Sequence, residues 1–119
     1  MEAVDRLTHG ELNAALTKAL VQVQVEHLEH GPADAIVFQS GNVVIAVMHD
    51  VLTNAEKALA SSGRQGEVAE IRHLFQNGME ADFRGAVERL TGRKVIAFLG
   101  ANHVEPDLAA EIFVLDSSL

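Results

Sequence analysis

Val43-Val44-Ile45-Ala46-Val47-Met48 is the stretch whose reading decides the fold. Successive side chains of a strand point to opposite faces, so a sheet with one wet face carries polar residues at one parity. Here Val43, Ile45 and Val47 are apolar, and so are Val44, Ala46 and Met48 between them. The run reads as a strand buried on both sides. The same pattern holds for Ile36 and Phe38 against Ala35 and Val37, for Val95, Ala97 and Leu99 against Ile96 and Phe98, and for Ile112 and Val114 against Phe113 and Leu115. Ser40-Gly41-Asn42 between the strands 35–39 and 43–49 predicts a tight hairpin. Strands over 94–100 and 108–116 form a second hairpin, joined by a longer polar loop, 101–107, that contains Pro106.

Helical periodicity fills the rest of the chain. Over residues 7–30, Leu12, Leu16, Leu20, Val23 and His27/Leu28 recur at helical spacing, and Gly31-Pro32 supplies a left-handed stop followed by a breaker. Thr53 with Glu56 three residues later forms a capping box, which predicts a short helix to about Ser61, ending at Gly63. Val68, Ile71, Phe75, Met79, Phe83, Ala86 and Leu90 form a third stripe over 67–90, closed by Gly92. Gly78 and Gly85 inside it cost roughly 1 kcal/mol each relative to alanine, which predicts a bend or a close packing contact there.

The resulting order is αββααββ, an α+β domain with a four-stranded, mainly antiparallel sheet of two hairpins and long helices packed on one face. A faint echo between Glu26-His27-Leu28 with Ile36-Val37-Phe38 and Glu88-Arg89-Leu90 with Ile96-Ala97-Phe98 suggests two αββ halves sharing that sheet. Two long helices cover one face. The other needs the short helix, another subunit, or both, and a homodimer packing through the sheet is the expected answer.

The 119 residues suit one domain spanning 1–119, and 48% hydrophobic content is enough for one core. Seventeen acidic against nine basic residues leave a formal charge of -8, which disfavours nucleic-acid backbones and anionic lipid surfaces as partners. The five phenylalanines lack the basic, aromatic-interleaved pattern of a base-stacking platform. There is no cysteine, hence no disulfide, thiolate metal site or thiol nucleophile. The start Met1-Glu2-Ala3-Val4-Asp5 is unlike a signal peptide, and no apolar run approaches the ~20 residues that span a bilayer. The expectation is a cytoplasmic protein that reaches a membrane only through a partner.

Candidate chemistry is sparse. His27 and His30 stand at i,i+3, a chelating spacing, but His9, His49, His73 and His103 fall on separate elements and no motif supplies a third ligand. They read as structural or solvent-exposed, with neither metal nor cofactor expected. His49-Asp50 near Thr53 resembles a general-base pair, yet no G-x-S-x-G is present and Thr53 is occupied as a cap. Asp50 is expected to satisfy backbone groups in the strand-to-helix turn. Arg72 is placed to reach carboxylates, while Arg93 and Lys94 follow a helix end, where cations meet free carbonyls. Ser61-Ser62-Gly63-Arg64-Gln65-Gly66 precedes a helix as a phosphate cradle would, without the G-x-x-x-x-G-K-[ST] pattern. No catalytic residue is assigned.

Gly31-Pro32, Val51-Leu52-Thr53 with Ala55-Glu56-Lys57, Arg72, Leu90-Thr91-Gly92-Arg93-Lys94-Val95 and Phe113-Val114-Leu115 together resemble the MpsC-like, or YbcI-type, family of small bacterial proteins linked to a Na+-translocating membrane-potential-generating system. The resemblance implies a non-catalytic accessory or regulatory protein of a membrane-energisation or cation-coupled inorganic-carbon uptake system. Such a protein would dock on a membrane-complex subunit or a signalling protein, through a surface that includes Thr53, Glu56, Lys57, Arg72, Thr91, Gly92 and Arg93. The alternative is a small-molecule sensor or small enzyme with a helix–sheet pocket near His49, Arg72 and His103.

Overall fold

In the computed structural model, which describes residues 8–119, the chain runs through α1 (His9–Leu28), β1 (Asp34–Ser40), β2 (Val43–His49), α2 (Asn54–Ser61), α3 (Gln65–Thr91), β3 (Val95–His103) and β4 (Leu108–Leu115). The αββααββ order and the α+β class are those expected. The two hairpins meet through their second strands, giving an antiparallel sheet of order β1-β2-β4-β3. The expected start of the first helix at Leu7 and the acidic start Met1–Asp5 lie outside the described residues.

Local chemistry explains the helix ends. Thr8 caps α1 in a full capping box with Glu11, and Thr53 caps α2 in another with Glu56. α1 does not run on to His30. It ends at Glu29, itself in the left-handed conformation at φ 52° with its N–H donating to the Val25 carbonyl. Gly31 follows in close quarters, where a Cβ would lie 3.0 Å from Val25 Cγ2 and the valine would have to give by a few tenths of an ångström. α3 closes at Gly92 (φ 69°), as its sequence predicts. Gly78 and Gly85 have open space around them, so close packing is not their role.

β3 runs three residues beyond the expected Gly100. Ala101, Asn102 and His103 pair with Ala110, Ala109 and Leu108, and the loop shrinks to four residues. The polar Asn102 belongs to the strand because its side chain has a buried partner, described below.

Leu12, Leu16, Leu20 and Val23 of α1 and Met79, Phe83, Ala86 and Val87 of α3 pack on Val37, Val44, Ala46, Phe113 and Leu115 of the sheet. Phe83, Phe98 and Phe113 form an aromatic triangle at the centre, with ring centroids 5.1–6.5 Å apart. α2 packs against α3 on this same side, so the short helix does not cover the other face.

That outer face is apolar in three successive rows across the strands. One row is Phe38, Ile45, Ile112 and Leu99, paired in register; beside it stand Ile36, Val47, Ala110 and Ala101 on one side and, on the other, Val43, Val114 and Ala97 with Ser40 at the β1 edge. Phe38, Leu99 and Ile36 are 54%, 56% and 45% exposed, and no described residue lies over them. A fourth row, Asp34, His49, Leu108 and His103, closes the face with polar groups at one end.

Two glycines of α3 respond oppositely to the same change. Gly92→Ala forces a side chain into the left-handed region and is expected to destabilise the protein by roughly 1 kcal/mol or more. Gly78→Ala, in a regular helix with free space, is expected to stabilise it by about 0.5–1 kcal/mol. Urea unfolding followed by circular dichroism reads both, and equal signs would mean that α3 does not end at Gly92.

Candidate functional site

The inner face of β4 is not uniformly apolar. Ala109 belongs to a small cluster with Met48 and Val51, Phe113 and Leu115 belong to the main core, and Glu111 stands between them, fully buried. α3 does the same, since Arg72 and Gln76 occupy the helical spacing that Val68, Met79 and Phe83 continue. Facing each other, these positions form a polar layer inside the protein.

Arg72 is its centre, at 1% exposure. Its guanidinium donates to Glu56 Oε1 (3.5 Å), to Gln24 Oε1 (3.5 Å) and to Asn102 Oδ1 (3.4 Å), and lies 6.0 Å from the Phe75 ring centroid. Asn102 donates in turn to Gln76 Oε1 at 3.0 Å, and Gln76 Nε2 donates to Glu111. Glu56 carries a double load, because its Oε1 also accepts the Thr53 N–H at 2.8 Å in the capping box. The cap of α2 and the buried cation of α3 are therefore joined through one carboxylate. Gln24 Nε2, Glu56 Oε2 and Glu111 Oε2 are buried without a protein partner.

Gly100 makes the inner end of the layer possible. A Cβ there would fall 1.3 Å from Gln76 Nε2 and 2.7 Å from Glu111 Oε1, so the Gln76 amide lies where a side chain would otherwise stand. A cleft of about 250 Å³ lined by Ala69, His73, Gln76, Gly100, Ala101 and Asn102 opens beside this point. Burial pushes the Glu111 carboxyl up to about 8, against the opposing pull of the Gln76 hydrogen bond and the Arg72 charge. It is therefore largely protonated at neutral pH.

The remaining expected residues fall into two other places. Lys57 pairs with Asp50 at 2.7 Å, which holds the Asp50 carboxyl below its ordinary value and raises the Lys57 amine above its own. Asp50, at φ 59°, does not satisfy the strand-to-helix turn; Asp107 does, its two oxygens accepting the N–H groups of Val51 (3.0 Å) and Leu52 (3.2 Å). At the other end of α3, Thr91 Oγ1 donates to the Val87 carbonyl and accepts the Arg93 N–H, while Arg93 donates to the carbonyls of Thr91 and Ser118.

Arg72 and Thr91 are nineteen residues apart on one helix, roughly 28 Å. Thr53, Glu56 and Arg72 are thus brought together, with Lys57 on the same short helix. Thr91, Gly92 and Arg93 are not, and the two groups do not make one continuous surface. Glu56, Arg72 and Thr91 are moreover buried, which makes them supports of a surface and not its contacts.

His49, Arg72 and His103 do not converge on a pocket either. His49 lies 3.8 Å from Asp34 across the β1–β2 pair, His103 Nδ1 donates to the Pro106 carbonyl, and Arg72 is sealed inside. His27 and His30 engage different groups, the Asp82 carboxylate at 2.7 Å and the Asp50 carbonyl at 3.2 Å. The 61–66 loop cannot cradle a phosphate with the N–H groups of Ser62, Gly63 and Arg64, because all three donate to carbonyls of α2. Among the described residues, no three His, Asp or Glu side chains form a group able to hold a metal ion.

Arg72→Ala leaves the Glu56 carboxylate buried without its cation, a change expected to cost about 3–5 kcal/mol in urea unfolding. Replacing both partners, as in the pair Arg72→Met with Glu56→Gln, is expected to restore much of that loss. Glu111 supplies a pH test. In the window between about 4.5 and 8 the folded protein keeps a proton that the unfolded chain releases, so stability falls as pH rises. Glu111→Gln removes this slope, and the stability lost by the wild type relative to the variant across that window is expected to be on the order of a few kcal/mol. Parallel pH profiles for the two proteins would show that Glu111 is not desolvated.

Residues 8–117 match the family model described as Na+-translocating membrane potential-generating system (MpsC). No curated protein and no solved structure matches the chain significantly. The match extends over all three helices and all four strands described above. The chain belongs to the MpsC family.

Proposed function

We propose that this protein is a non-catalytic accessory or regulatory component of a Na+-translocating membrane-potential-generating system, and that it works by protein–protein contact through the outer face of its sheet. The observation that carries the reading is that face, apolar in two consecutive rows across all four strands and in a third across β2, β4 and β3, with every described helix on the opposite side. Exposed apolar area of this continuity is the usual mark of an interaction surface. Membership of the family supplies the biological setting.

The buried polar layer supports the non-catalytic part of the reading. Arg72, Glu56, Gln76, Asn102 and Glu111 are linked by hydrogen bonds to one another and, through Gln24 and Thr53, to α1 and the start of α2, so the layer ties α1, α2, α3 and the sheet into one unit. No helix among the described residues is long and apolar enough to cross a membrane, which is consistent with a protein that meets the membrane complex from the cytoplasmic side, through a membrane-complex subunit or a signalling partner. The formal charge of -8 disfavours attachment to anionic lipid directly.

The reading is tested in cells that depend on the system. Ile45→Lys and Ile112→Lys place a charge in the middle of the outer face, and each is expected to abolish the Na+-dependent membrane potential, measured with a voltage-sensitive dye, while circular dichroism of the purified variants stays native. An unchanged potential in both would remove the outer face from the function.

A further inference from the structure

We propose that the occupant of the outer sheet face is a second copy of this chain, packed face to face about a two-fold axis. The inference rests on the reading above that this face is the contact surface, and it names the protein on that face as a second copy, so that the membrane-complex subunit or signalling protein meets a dimer held together through the sheet.

A two-fold contact sets one patch against itself, so the patch must be self-complementary. This one has the relief for it. Phe38, Ile45, Ile112 and Leu99 form a ridge across all four strands, and the adjoining row drops to alanine at Ala110 and Ala101. With one copy turned over about an axis between the two rows, Ile112 and Leu99 of each copy sit over Ala110 and Ala101 of the other, while Phe38 and Ile45 pack on Ile36 and Val47, at the separation of about 10 Å usual for stacked sheets.

Charge points the same way. Each copy carries a formal charge of -8, so two copies repel unless they meet where acids are missing. The three apolar rows contain no Asp, Glu, Lys or Arg, and the bounding row, with Asp34 beside His49, gives the polar rim that interfaces commonly show.

The area is also sufficient. Four strands about 4.8 Å apart and roughly eight residues long at ~3.3 Å per residue give a footprint of roughly 500 Å² per copy with the polar end row and the strand ends included. Two copies bury about 1,000 Å² before side-chain relief is counted, the scale at which specific interfaces begin.

Molar mass in solution by light scattering with refractive-index detection tests the proposal, the latter because the chain has no Trp or Tyr. The expected result is twice the 12.8 kDa chain mass, persisting on dilution. Ile45→Lys and the milder edge variant Phe38→Ser are each expected to lower it to that of one chain with native circular dichroism, while Leu74→Lys, 67% exposed on α3, leaves the dimer intact. A wild-type mass of one chain overturns the proposal, as does a dimer that survives Ile45→Lys and Phe38→Ser or that dissociates only with Leu74→Lys. The functional reading fails separately: a single-chain wild type whose Ile45→Lys variant still abolishes the membrane potential has another protein on this face, whereas a dimer broken by Ile45→Lys with the potential unchanged leaves the dimer standing and removes the function assigned to it.

Discussion

A sheet that is apolar on both faces, with all its described helices on one of them, is the constraint from which the rest of this molecule follows. The inner face is closed by α1 and α3 over Val44, Ala46, Phe113 and Leu115. The outer face presents Phe38, Ile45, Ile112 and Leu99 in one line. Burying such area is worth roughly 25 cal/mol per Å², so an exposed face of this extent carries a standing drive toward association. The antiparallel order β1-β2-β4-β3 puts the most exposed members of that face, Ile36 and Phe38 on β1 and Leu99 on β3, on the edge strands, with the half-buried Ile45 and Ile112 of β2 and β4 between them.

Inside, the protein accepts a polar layer where apolar packing would have served. Arg72 and Glu56 form a buried pair whose desolvation offsets much of its attraction. What the pair contributes is placement: it fixes α2 to α3, and the amides of Gln24, Asn102 and Gln76 extend that register to α1 and to β3. Gly100 and Glu111 complete the layer on the sheet side. A neutral Glu111 at neutral pH avoids a second negative charge in the buried layer that holds Glu56, at the cost of a stability that declines as pH rises.

Much of this was legible before any coordinates. Thr53 and Glu56 announced the α2 cap, Gly92 the end of α3, and the double apolar parity of Val43–Met48 the need for cover on two sides. Two of the three misreadings share a cause. Gly31-Pro32 looked like the end of α1, yet Glu29 adopts the left-handed turn itself because the Val25 carbonyl is within reach of its N–H. Residues 101–103 looked like loop because Asn102 is polar, and Asp50 looked like the satisfier of a turn that Asp107, fifty-seven residues away, satisfies. For Asn102 and Asp50 the deciding partner lies far off in sequence, whereas at Glu29 it is the i−4 carbonyl of the helix itself. The polar layer was overlooked for the same reason, although Arg72, Gln76 and Glu111 each interrupt an apolar stripe at an inward position, which is the signal that would have found them.

The sequence by itself determined the element order, the α+β class, the capping chemistry and the apolar character of both sheet faces, because each depends on neighbours within a few positions. Tertiary structure alone decided that β2 meets β4, that α2 joins the helical side, that Arg72 is enclosed by Glu56, Gln24 and Asn102, and that Thr91 at the end of α3 lies far from the Thr53 cap of α2. Those outcomes follow from which distant surfaces exclude water together, and a linear pattern of residue types does not carry that information.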